Sequence, residues 1–378
     1  MQMLSRTLDV ERIALWDPNG VNPYGSELAD LLTGAGKSVS LWLPAKSKLV
    51  SRERARGYRL LADSVSTDGP VQHIIRRLAI PLIFVLIAAI RREAVVLVWI
   101  RGSYEAGVFA AARRIRIIKS LVFLDHNPIA GRNSGSNSKS VMAFLRASTT
   151  VNVVHGRSLV TDVHSPSAES RTAVIPHLRY GGWVEMLDVR GRRARAQLGS
   201  AEENTCRVLF VGALRPDKGW KEMARLIAEL DPAHCVVAIA GTGSLPKDVD
   251  QLLSRRGFRT ELQVSDKSLS DLEIASALVK ADVVLAPYPL ATASGTVMLA
   301  VSAGVPVLGF DSPGISDVLT DSSTVPVGSF EELGHLVETW RLAPFDTHRL
   351  AAREYDQIVS RGWLEALRQT EPKAGVVK

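Results

Sequence analysis

Two groups of residues in the second half of the chain have the chemistry that binding of a diphosphate requires. Arg215 and Lys218 follow the apolar run RVLFVG, while Ser294, Gly295 and Thr296 follow the apolar run DVVLAPY. Arginine and lysine neutralise phosphate charge, and the N–H groups at the start of a helix bind anions. The two groups therefore predict one diphosphate site, although solvated loop charge is an alternative interpretation of Arg215 and Lys218.

Further residues at predicted strand ends extend this site towards a nucleotide. Gly212 ends RVLFVG, Gly241 and Gly243 follow CVVAIA, and Asp311 follows VPVLGF. We expect the glycines to lie beside the nucleobase or ribose and Asp311 to accept hydrogen bonds from the ribose. A simple tight turn at the glycines and a local helix-capping role for Asp311 remain alternatives.

Alternating strands and helices along the chain must position these residues. In the first half, the strands RIALWDP and SVSLWLP enclose a helix over 25–36, with Ser26 near its N-cap. The second half repeats the alternation from RVLFVG to VPVLGF. Such βαβ units predict the α/β class, with two Rossmann-like doubly wound parallel-sheet domains facing a cleft.

Length and composition favour two domains. The chain has 378 residues, of which 46% are apolar and 22% charged. We expect an acceptor-binding domain over 1–185, a nucleotide-binding domain over 186–345, and a helix and tail over 346–378 that return to the first domain across the cleft. The arginine-rich segment 183–205 is predicted to connect the domains.

Charge and cysteine content restrict the partners and the compartment. The formal net charge of +7 favours acidic partners such as sugar nucleotides or anionic lipids. The sequence has no stripe of basic residues interleaved with aromatic ones of the kind that single-stranded nucleic acid needs, so no nucleic-acid partner is expected. Cys206 and Cys235 lie in apolar runs and predict no disulfide framework, and we expect a cytoplasmic protein.

Candidate catalytic residues follow strands of the first half. Asp17 follows RIALW, and Asp125 and His126 follow SLVFL. A carboxylate or a histidine serves best as a general base, so Asp17 or Asp125 is predicted to be a base and His126 to contact the bound ligand. Capping of a turn by Asp17 and a loop-holding cluster around Asp125 are the alternatives.

Two further predictions concern the residues after Asp17 and the histidines at strand ends. Asn19, Gly20 and Tyr24 follow Asp17 and are predicted to form an acceptor loop. His155 and His177 stand at strand ends without partners at metal-ligand spacing, so no metal and no cofactor are expected.

An apolar run in the first half indicates a membrane contact. Leu78 to Ile90 lies between the pairs Arg76/Arg77 and Arg91/Arg92. As a helix this run would be about 20 Å long, too short for the ~30 Å hydrocarbon core. It predicts either an interfacial helix at an anionic membrane or a core helix beneath the first sheet.

The motifs together resemble GT-B glycosyltransferases of the family-4 kind. FVGALRPDKG resembles their diphosphate loop, ADVVLAPY and SGTVMLAVSAGVPVLG resemble the nucleotide-sugar motif, and WDPNGVNPYGSELADLLTGAGKSVSLWLP resembles the first glycine-rich loop and helix. LDHNP corresponds to the position of a sugar-facing histidine. The resemblance covers nearly the whole chain.

One departure from the family concerns two carboxylates. Aligned backward from GVPV, the paired glutamates of retaining members fall at Ala291 and Leu299. The resemblance is therefore to a variant branch without that pair, and it leaves the donor sugar and the stereochemistry open.

The resemblance implies a hexosyltransferase that takes sugar from a GDP- or UDP-sugar without a metal. Its expected acceptor is a saccharide or lipid-linked saccharide at the inner membrane face, in polysaccharide biosynthesis. A non-catalytic partner protein of a saccharide-assembly complex and a sugar-nucleotide epimerase are the alternatives.

Overall fold

A computed structural model describes residues 11–20, 22–44, 58–62, 70–126, 139–160, 171–199, 205–215, 218–219, 223–267, 269–291 and 294–370. The chain divides into two compact units. The first comprises Met1–Leu178 and Asp356–Lys378, and the second comprises Arg179–Tyr355.

The first unit contains a parallel seven-stranded sheet. Its strands are β1 (Arg12–Trp16), β2 (Ser38–Leu43), β3 (Arg59–Ala62), β4 (Ala94–Leu97), β5 (Leu121–Leu124), β6 (Val151–Val154) and β7 (Arg171–Val174). Their spatial order is β3-β2-β1-β4-β5-β6-β7, and every pairing is parallel. The helices between them are α1 (Tyr24–Gly34), α2 (Pro70–Arg91), α3 (Ser103–Arg114) and α4 (Lys139–Ser148), and a 3₁₀ turn covers Arg157–Leu159.

The second unit contains a parallel six-stranded sheet. Its strands are β8 (Cys206–Ala213), β9 (Cys235–Thr242), β10 (Arg259–Ser265), β11 (Val283–Ala286), β12 (Val307–Phe310) and β13 (Thr324–Val325). Their spatial order is β10-β9-β8-β11-β12-β13. Its helices are α5 (Gly181–Met186), α6 (Val189–Gly199), α7 (Met223–Glu229), α8 (Lys247–Arg256), α9 (Asp271–Lys280), α10 (Gly295–Ala303), α11 (Pro313–Ser316) and α12 (Phe330–Leu342), with a 3₁₀ turn at Asp321–Ser323. The last helix is α13 (Ala352–Arg368). The predicted class, two Rossmann-like doubly wound parallel sheets, is confirmed.

Each sheet builds its own apolar core. In the first unit, the Trp16 ring stacks on Trp42 with centroids 4.3 Å apart and packs against Phe84 of α2 and Phe109 of α3. In the second unit, Phe210 of β8 and Trp340 of α12 belong to the buried cluster. Burial of such side chains drives the sheets and helices together, at about 1.5–3 kcal/mol for each large apolar side chain.

Local sequence signals fix several helix ends. Ser270 and Glu273 form a reciprocal capping box at the start of α9. Helices α8 and α10 end at Gly257 and Gly304, whose φ angles of 70° and 71° lie in the left-handed region that favours glycine.

The structure corrects several local predictions. Helix α1 begins at Tyr24, so Ser26 lies buried inside the helix rather than near its N-cap. Helix α2 extends over twenty-two residues instead of thirteen, because its polar first turns continue the apolar run. The segment 183–205, predicted as a connection, carries most of α5 and all of α6.

The C-terminal helix contributes to the first unit from Asp356 onward. Trp363 is fully buried, and Ser120 donates a hydrogen bond from its Oγ to the Thr370 carbonyl oxygen at 3.1 Å. Gly362 lies so close to Ile175 that an added Cβ would be 3.1 Å from its Cγ2. The glycine therefore permits close packing of α13 in this unit.

Candidate functional site

The strand order of the second sheet reverses between β8 and β11. Strand β8 pairs with β9 on one side and with β11 on the other, all in parallel. The loops after β8 and β11 therefore leave the same edge of the sheet in opposite directions. In doubly wound folds, ligands bind at the carboxyl edge of the strands where the order reverses.

Two glycines let the ends of β8 and β9 approach their neighbours. Gly212 has a φ of 123°, and a Cβ there would lie 3.0 Å from the Oγ1 of Thr296. A Cβ on Gly241 would collide with the carbonyl oxygen of Gly212. The end of β8 is thus in direct contact with the first turn of α10, as the two predicted halves of the diphosphate site require.

The loop after β8 also contacts the loop after β11. Gly219 has a φ of 71°, and a Cβ at this position would collide with the Pro287 carbonyl oxygen. The Lys218 ammonium lies 4.3 Å from the centroid of the buried Tyr288 ring. This cation–π contact places the lysine charge over the loop that leads to α10.

The start of α10 has the properties of an anion site. Buried Ser294 is its N-cap and accepts a hydrogen bond from the Val297 N–H at 3.4 Å. Gly295 and Thr296 form the first turn and are half-buried. Backbone N–H groups and the positive end of the helix dipole therefore lie beside Gly212.

Arg215 is exposed and belongs to the same turn as Lys218. Its N–H donates to the Ala213 carbonyl oxygen, and its own carbonyl oxygen accepts from the Lys218 N–H at 2.9 Å. This turn brings the two cationic residues onto one loop after β8.

Gly243 and Asp311 lie at the ends of strands farther out in the sheet. The Gly243 N–H donates to the Ser265 carbonyl oxygen at 2.9 Å, and Asp311 accepts a hydrogen bond from the Ser316 hydroxyl. The contact of Asp311 is local to α11. The N-cap residue of this helix is Ser312, so the Asp311 carboxylate makes a local side-chain contact and does not cap the helix.

In the first unit, Asp17 is fully buried at the end of β1. Its Oδ1 accepts hydrogen bonds from the N–H groups of Asn19 at 3.2 Å and Gly20 at 3.3 Å. Burial raises the pKa of the Asp17 carboxyl to about 7, while the N–H groups of Gly20, Asn19 and Gly25 lower it. These contacts favour the turn-capping interpretation that the sequence left open.

The predicted acceptor loop is thus held by Asp17. Asn19 is exposed, whereas Gly20 is buried with a φ of 57°. The Tyr24 N–H donates to the Asn22 side chain at 3.0 Å, and the Tyr24 side chain is fully buried.

Asp125 forms an ion pair with Arg146 of α4, at 2.6 Å from the guanidinium NH2 group. Only 4% of the Asp125 side chain is exposed. A carboxylate held in this way is well suited to tie α4 to the end of β5. The contact favours the loop-holding interpretation over that of a base.

His126 lies in a cluster that sequence reasoning missed. Its ring stacks on Trp99 with centroids 4.0 Å apart, and its Nδ1 lies 3.3 Å from the Nε2 of His155. The Tyr24 ring packs edge-on against His126 and His177, with centroids 5.1 and 4.9 Å away. Since all three histidines are buried together, the statement that His155 and His177 lack nearby partners is wrong.

Burial keeps two members of this cluster, His126 and His155, uncharged. Desolvation lowers the pKa of His126 well below its ordinary 6.5, with smaller contributions from His155 and His177. Desolvation also lowers the pKa of His155 to about 4. His126 and His155 are therefore neutral near pH 7.

The order of the strands is the signal from which the histidine cluster could have been predicted. His126, His155 and His177 follow β5, β6 and β7, which are adjacent in the sheet. Residues at the carboxyl ends of neighbouring parallel strands meet at one edge, however far apart they are in sequence. Trp99 and Tyr288 carried no such signal, because isolated aromatic residues after strands usually serve packing alone.

Comparisons with known proteins agree with this geometry. Residues 205–339 match the family model described as Glycosyl transferases group 1. The chain is 24% identical over 201 residues to the 2-deoxystreptamine glucosyltransferase of Streptomyces kanamyceticus, and the aligned part is 52% of each protein. The chain thus spans about half the length of that curated relative.

Solved structures show the fold over nearly the whole chain. Sucrose-phosphate synthase from Thermosynechococcus elongatus has a TM-score of 0.64 at 14% identity, covering 95% of this chain and 94% of its own. HepE of Anabaena, in complex with UDP and glucose, has a TM-score of 0.64 at 15% identity, covering 96% of both chains. Residues 205–339 are thus similar to glycosyl transferases of group 1, and the chain as a whole has the GT-B fold of these solved structures.

Proposed function

We propose that the chain transfers a hexose from a nucleoside-diphosphate sugar and binds the diphosphate at the carboxyl edge of the second sheet. The observation that carries this proposal is the contact of Gly212 with Thr296, which joins the loop after β8 to the start of α10. The cation–π contact of Lys218 with Tyr288 supports it, because it holds a positive charge near the same two loops.

The chemistry of this site is stabilisation of a departing diphosphate. Negative charge grows on the diphosphate as the glycosidic bond breaks, and preorganised donors and cations lower the energy of that state. Lys218 supplies a compact charge, Arg215 a planar two-pronged donor, and α10 its first N–H groups. Because these groups supply the positive charge, we propose that the transfer requires no metal ion at the diphosphate.

The donor that we propose is a UDP-hexose. The HepE structure contains UDP and glucose, and the curated relative is named a glucosyltransferase. Gly241, at the end of β9, packs directly against the Gly212 carbonyl oxygen, and we propose the edge formed by these two glycines for the ribose and base. UDP therefore ranks before GDP, the other donor that the sequence suggests.

A thermal-shift series with UDP, GDP, ADP and CDP tests the donor proposal. We expect UDP at about 100 times its Kd to raise the unfolding midpoint by roughly 5 °C, since a ligand that binds only the folded state stabilises it. CDP, with the same diphosphate on another pyrimidine, is the matched control and should produce a smaller shift. Equal shifts with all four nucleotides, or none, would contradict a UDP site.

His126 is the residue that we propose for contact with the transferred sugar. Its ring is held by Trp99 at the carboxyl edge of the first sheet. Asp17 and Asp125 are proposed as positioning residues, because backbone N–H groups and Arg146 already engage their carboxylates.

A lipid-linked saccharide is the acceptor that we propose, on the evidence of α2. One face of this helix, with Phe84 and Ala88, packs into the core of the first unit. On the opposite face, the exposed fraction is 52% for Leu82 and 58% for Leu86. Three further apolar residues are exposed along this face: Leu78, Ile83 and Ile90. Within the described residues, no helix is long and apolar enough to cross a membrane.

Arginines lie near both ends of this exposed face. Arg77 precedes it and Arg92 follows it, and both are exposed. Helix α3 packs beside α2, where the Tyr104 hydroxyl donates to the Leu78 carbonyl oxygen at 3.0 Å. Its end adds the exposed Arg114 and Arg116. An apolar stripe with basic ends suits the surface of an anionic bilayer, which we propose as the inner membrane face.

Vesicle flotation tests the membrane proposal. We expect the protein to float with vesicles that contain about one-third anionic lipid and to bind neutral vesicles at least about tenfold more weakly. The double variant Leu82→Asp and Leu86→Asp should lose binding, since it places charge on the exposed face and leaves the core intact. Leu272→Asp, at an apolar residue 63% exposed in the second unit, is the matched control. Undiminished flotation of the double variant would refute the role of α2.

A further inference from the structure

Three buried histidines converge at one edge of the first sheet. His126, His155 and His177 each offer a ring nitrogen, and these atoms all lie within 4.8 Å of one another. Each histidine follows a different strand of the rigid parallel sheet. The cluster is therefore positioned by the sheet rather than by a single loop.

Backbone carbonyls orient two of the rings. The Nδ1 of His155 lies 3.0 Å from the Ile175 carbonyl oxygen, and the Nδ1 of His177 lies 2.8 Å from that of Leu178. A carbonyl oxygen only accepts, so each Nδ1 donates its hydrogen and each Nε2 carries the lone pair. Histidine ligands of metals are oriented in the same way, with one ring nitrogen donating to a carbonyl and the other binding the metal.

The third ring is oriented by different contacts. His126 stacks on Trp99 and makes a hydrogen bond with the Val98 backbone. Its Nδ1 lies 3.3 Å from the Nε2 of His155. Two imidazole ligands of a tetrahedral zinc ion, each about 2.05 Å from the metal, lie about 3.3 Å apart. At this distance the two nitrogens share a hydrogen bond, which a metal ion bound to both rings would replace at the same spacing.

We propose that His126, His155 and His177 form a binding site for a divalent transition metal, with zinc as the preferred ion. Imidazole ligands suit zinc, cobalt and nickel, whereas magnesium and calcium prefer oxygen ligands. Closing the widest nitrogen spacing of 4.8 Å to a tetrahedral edge requires an inward shift of at most about 1.5 Å. Three protein ligands leave a fourth position for water or a sugar oxygen.

The histidines and the diphosphate loops belong to different units of the chain. The three histidines belong to the first unit, whereas Lys218 and Thr296 belong to the second. Metal binding by the histidines is measured without any transfer reaction, so its test can fail or succeed whether or not the proposed donor binds.

The test uses the full chain, purified without a histidine tag and stripped of metal by a chelator. Titration with Co²⁺ is expected to produce the visible absorption of a tetrahedral site at one ion per chain, and Zn²⁺ should displace it. Zn²⁺ should also raise the unfolding midpoint by about 3 °C or more, whereas Mg²⁺ should not.

Two variants locate the site. The double variant His155→Gln and His177→Gln should bind Co²⁺ at least about 100-fold more weakly, since it removes two of the three ligands. His335→Gln, at an exposed histidine of the second unit, should bind as the wild type does. Circular dichroism and retained UDP binding show whether the double variant is folded. The inference is overturned if the wild type shows neither the Co²⁺ absorption nor the Zn²⁺-dependent rise. It is also overturned if the double variant binds as tightly as the wild type.

Discussion

Lys218→Ala is expected to lower kcat/KM for release of UDP from UDP-glucose by about 10²- to 10³-fold, with the fold intact. Removal of one preorganised group at a developing negative charge typically has an effect of this size. The cation–π contact with Tyr288 holds the Lys218 ammonium beside the loop that leads to α10, where the diphosphate is proposed to lie. Release of UDP is the appropriate measurement, because it needs no knowledge of the acceptor.

Two comparisons make the Lys218 result specific. Lys267→Ala removes the charge of an exposed lysine in the same unit and should leave kcat/KM within about twofold of the wild type. Lys218→Arg should recover part of the loss, because it restores the charge but not the compact geometry. If Lys218→Ala were as active as Lys267→Ala, the lysine would not act on the diphosphate. If neither the wild type nor any variant released UDP from any sugar nucleotide, the result would favour the role of a non-catalytic partner protein.

The stability of the Asp17→Asn variant relative to the wild type is expected to increase as pH rises from about 4 to about 8. The folded protein holds the Asp17 pKa at about 7, above its ordinary 3.8, so the folded state binds more protons than the unfolded state in this interval. The stability that protonated Asp17 provides is therefore complete below about pH 4 and is lost as pH rises through about 7. The loss amounts to about 4 kcal/mol. Asparagine does not titrate, and its side-chain oxygen still accepts from the N–H groups of Asn19 and Gly20.

Thermal unfolding at several pH values tests this expectation. The midpoint of Asp17→Asn relative to the wild type should rise by roughly 10 °C between pH 4 and pH 8. Asp17→Ala is the matched variant, since it also removes the charge but leaves the N–H groups of Asn19 and Gly20 without their acceptor. It should be less stable than Asp17→Asn at every pH. A constant difference between Asp17→Asn and the wild type would contradict the raised pKa.

The same variant separates positioning from catalysis. A general base contributes about 10²- to 10⁴-fold to a rate. As a positioning residue, Asp17 should tolerate replacement by asparagine, and kcat for UDP release should stay within about threefold of the wild type. A loss of 10²-fold or more in a folded variant would restore Asp17 as the base.

The parallel sheets and the diphosphate loops were predictable from the sequence for a physical reason. Buried parallel strands appear as continuous apolar runs such as RVLFVG, and the residues that follow them must lie at the carboxyl edge. The contact between Gly212 and Thr296 follows from this topology once β8 and β11 are recognised as neighbours.

Other features depended on side-chain contacts that a linear pattern does not contain. Arg146 lies far from Asp125 in sequence, so its ion pair could not be anticipated from SLVFLDHNP. The histidine cluster required knowledge of the order of β5, β6 and β7. Ser26 satisfied a capping pattern, yet α1 starts two residues earlier, because Tyr24 is buried against the histidines.

Calorimetric titration with UDP and UMP tests the central claim, a diphosphate site at the loops after β8 and β11, most directly. The two ligands share base and ribose and differ by one phosphate. We predict that UDP binds the wild type at least about tenfold more tightly than UMP, equivalent to about 1.4 kcal/mol, and that this preference disappears in Lys218→Ala. Equal affinities of the wild type for UDP and UMP, or a preference that survives in Lys218→Ala, would contradict the account.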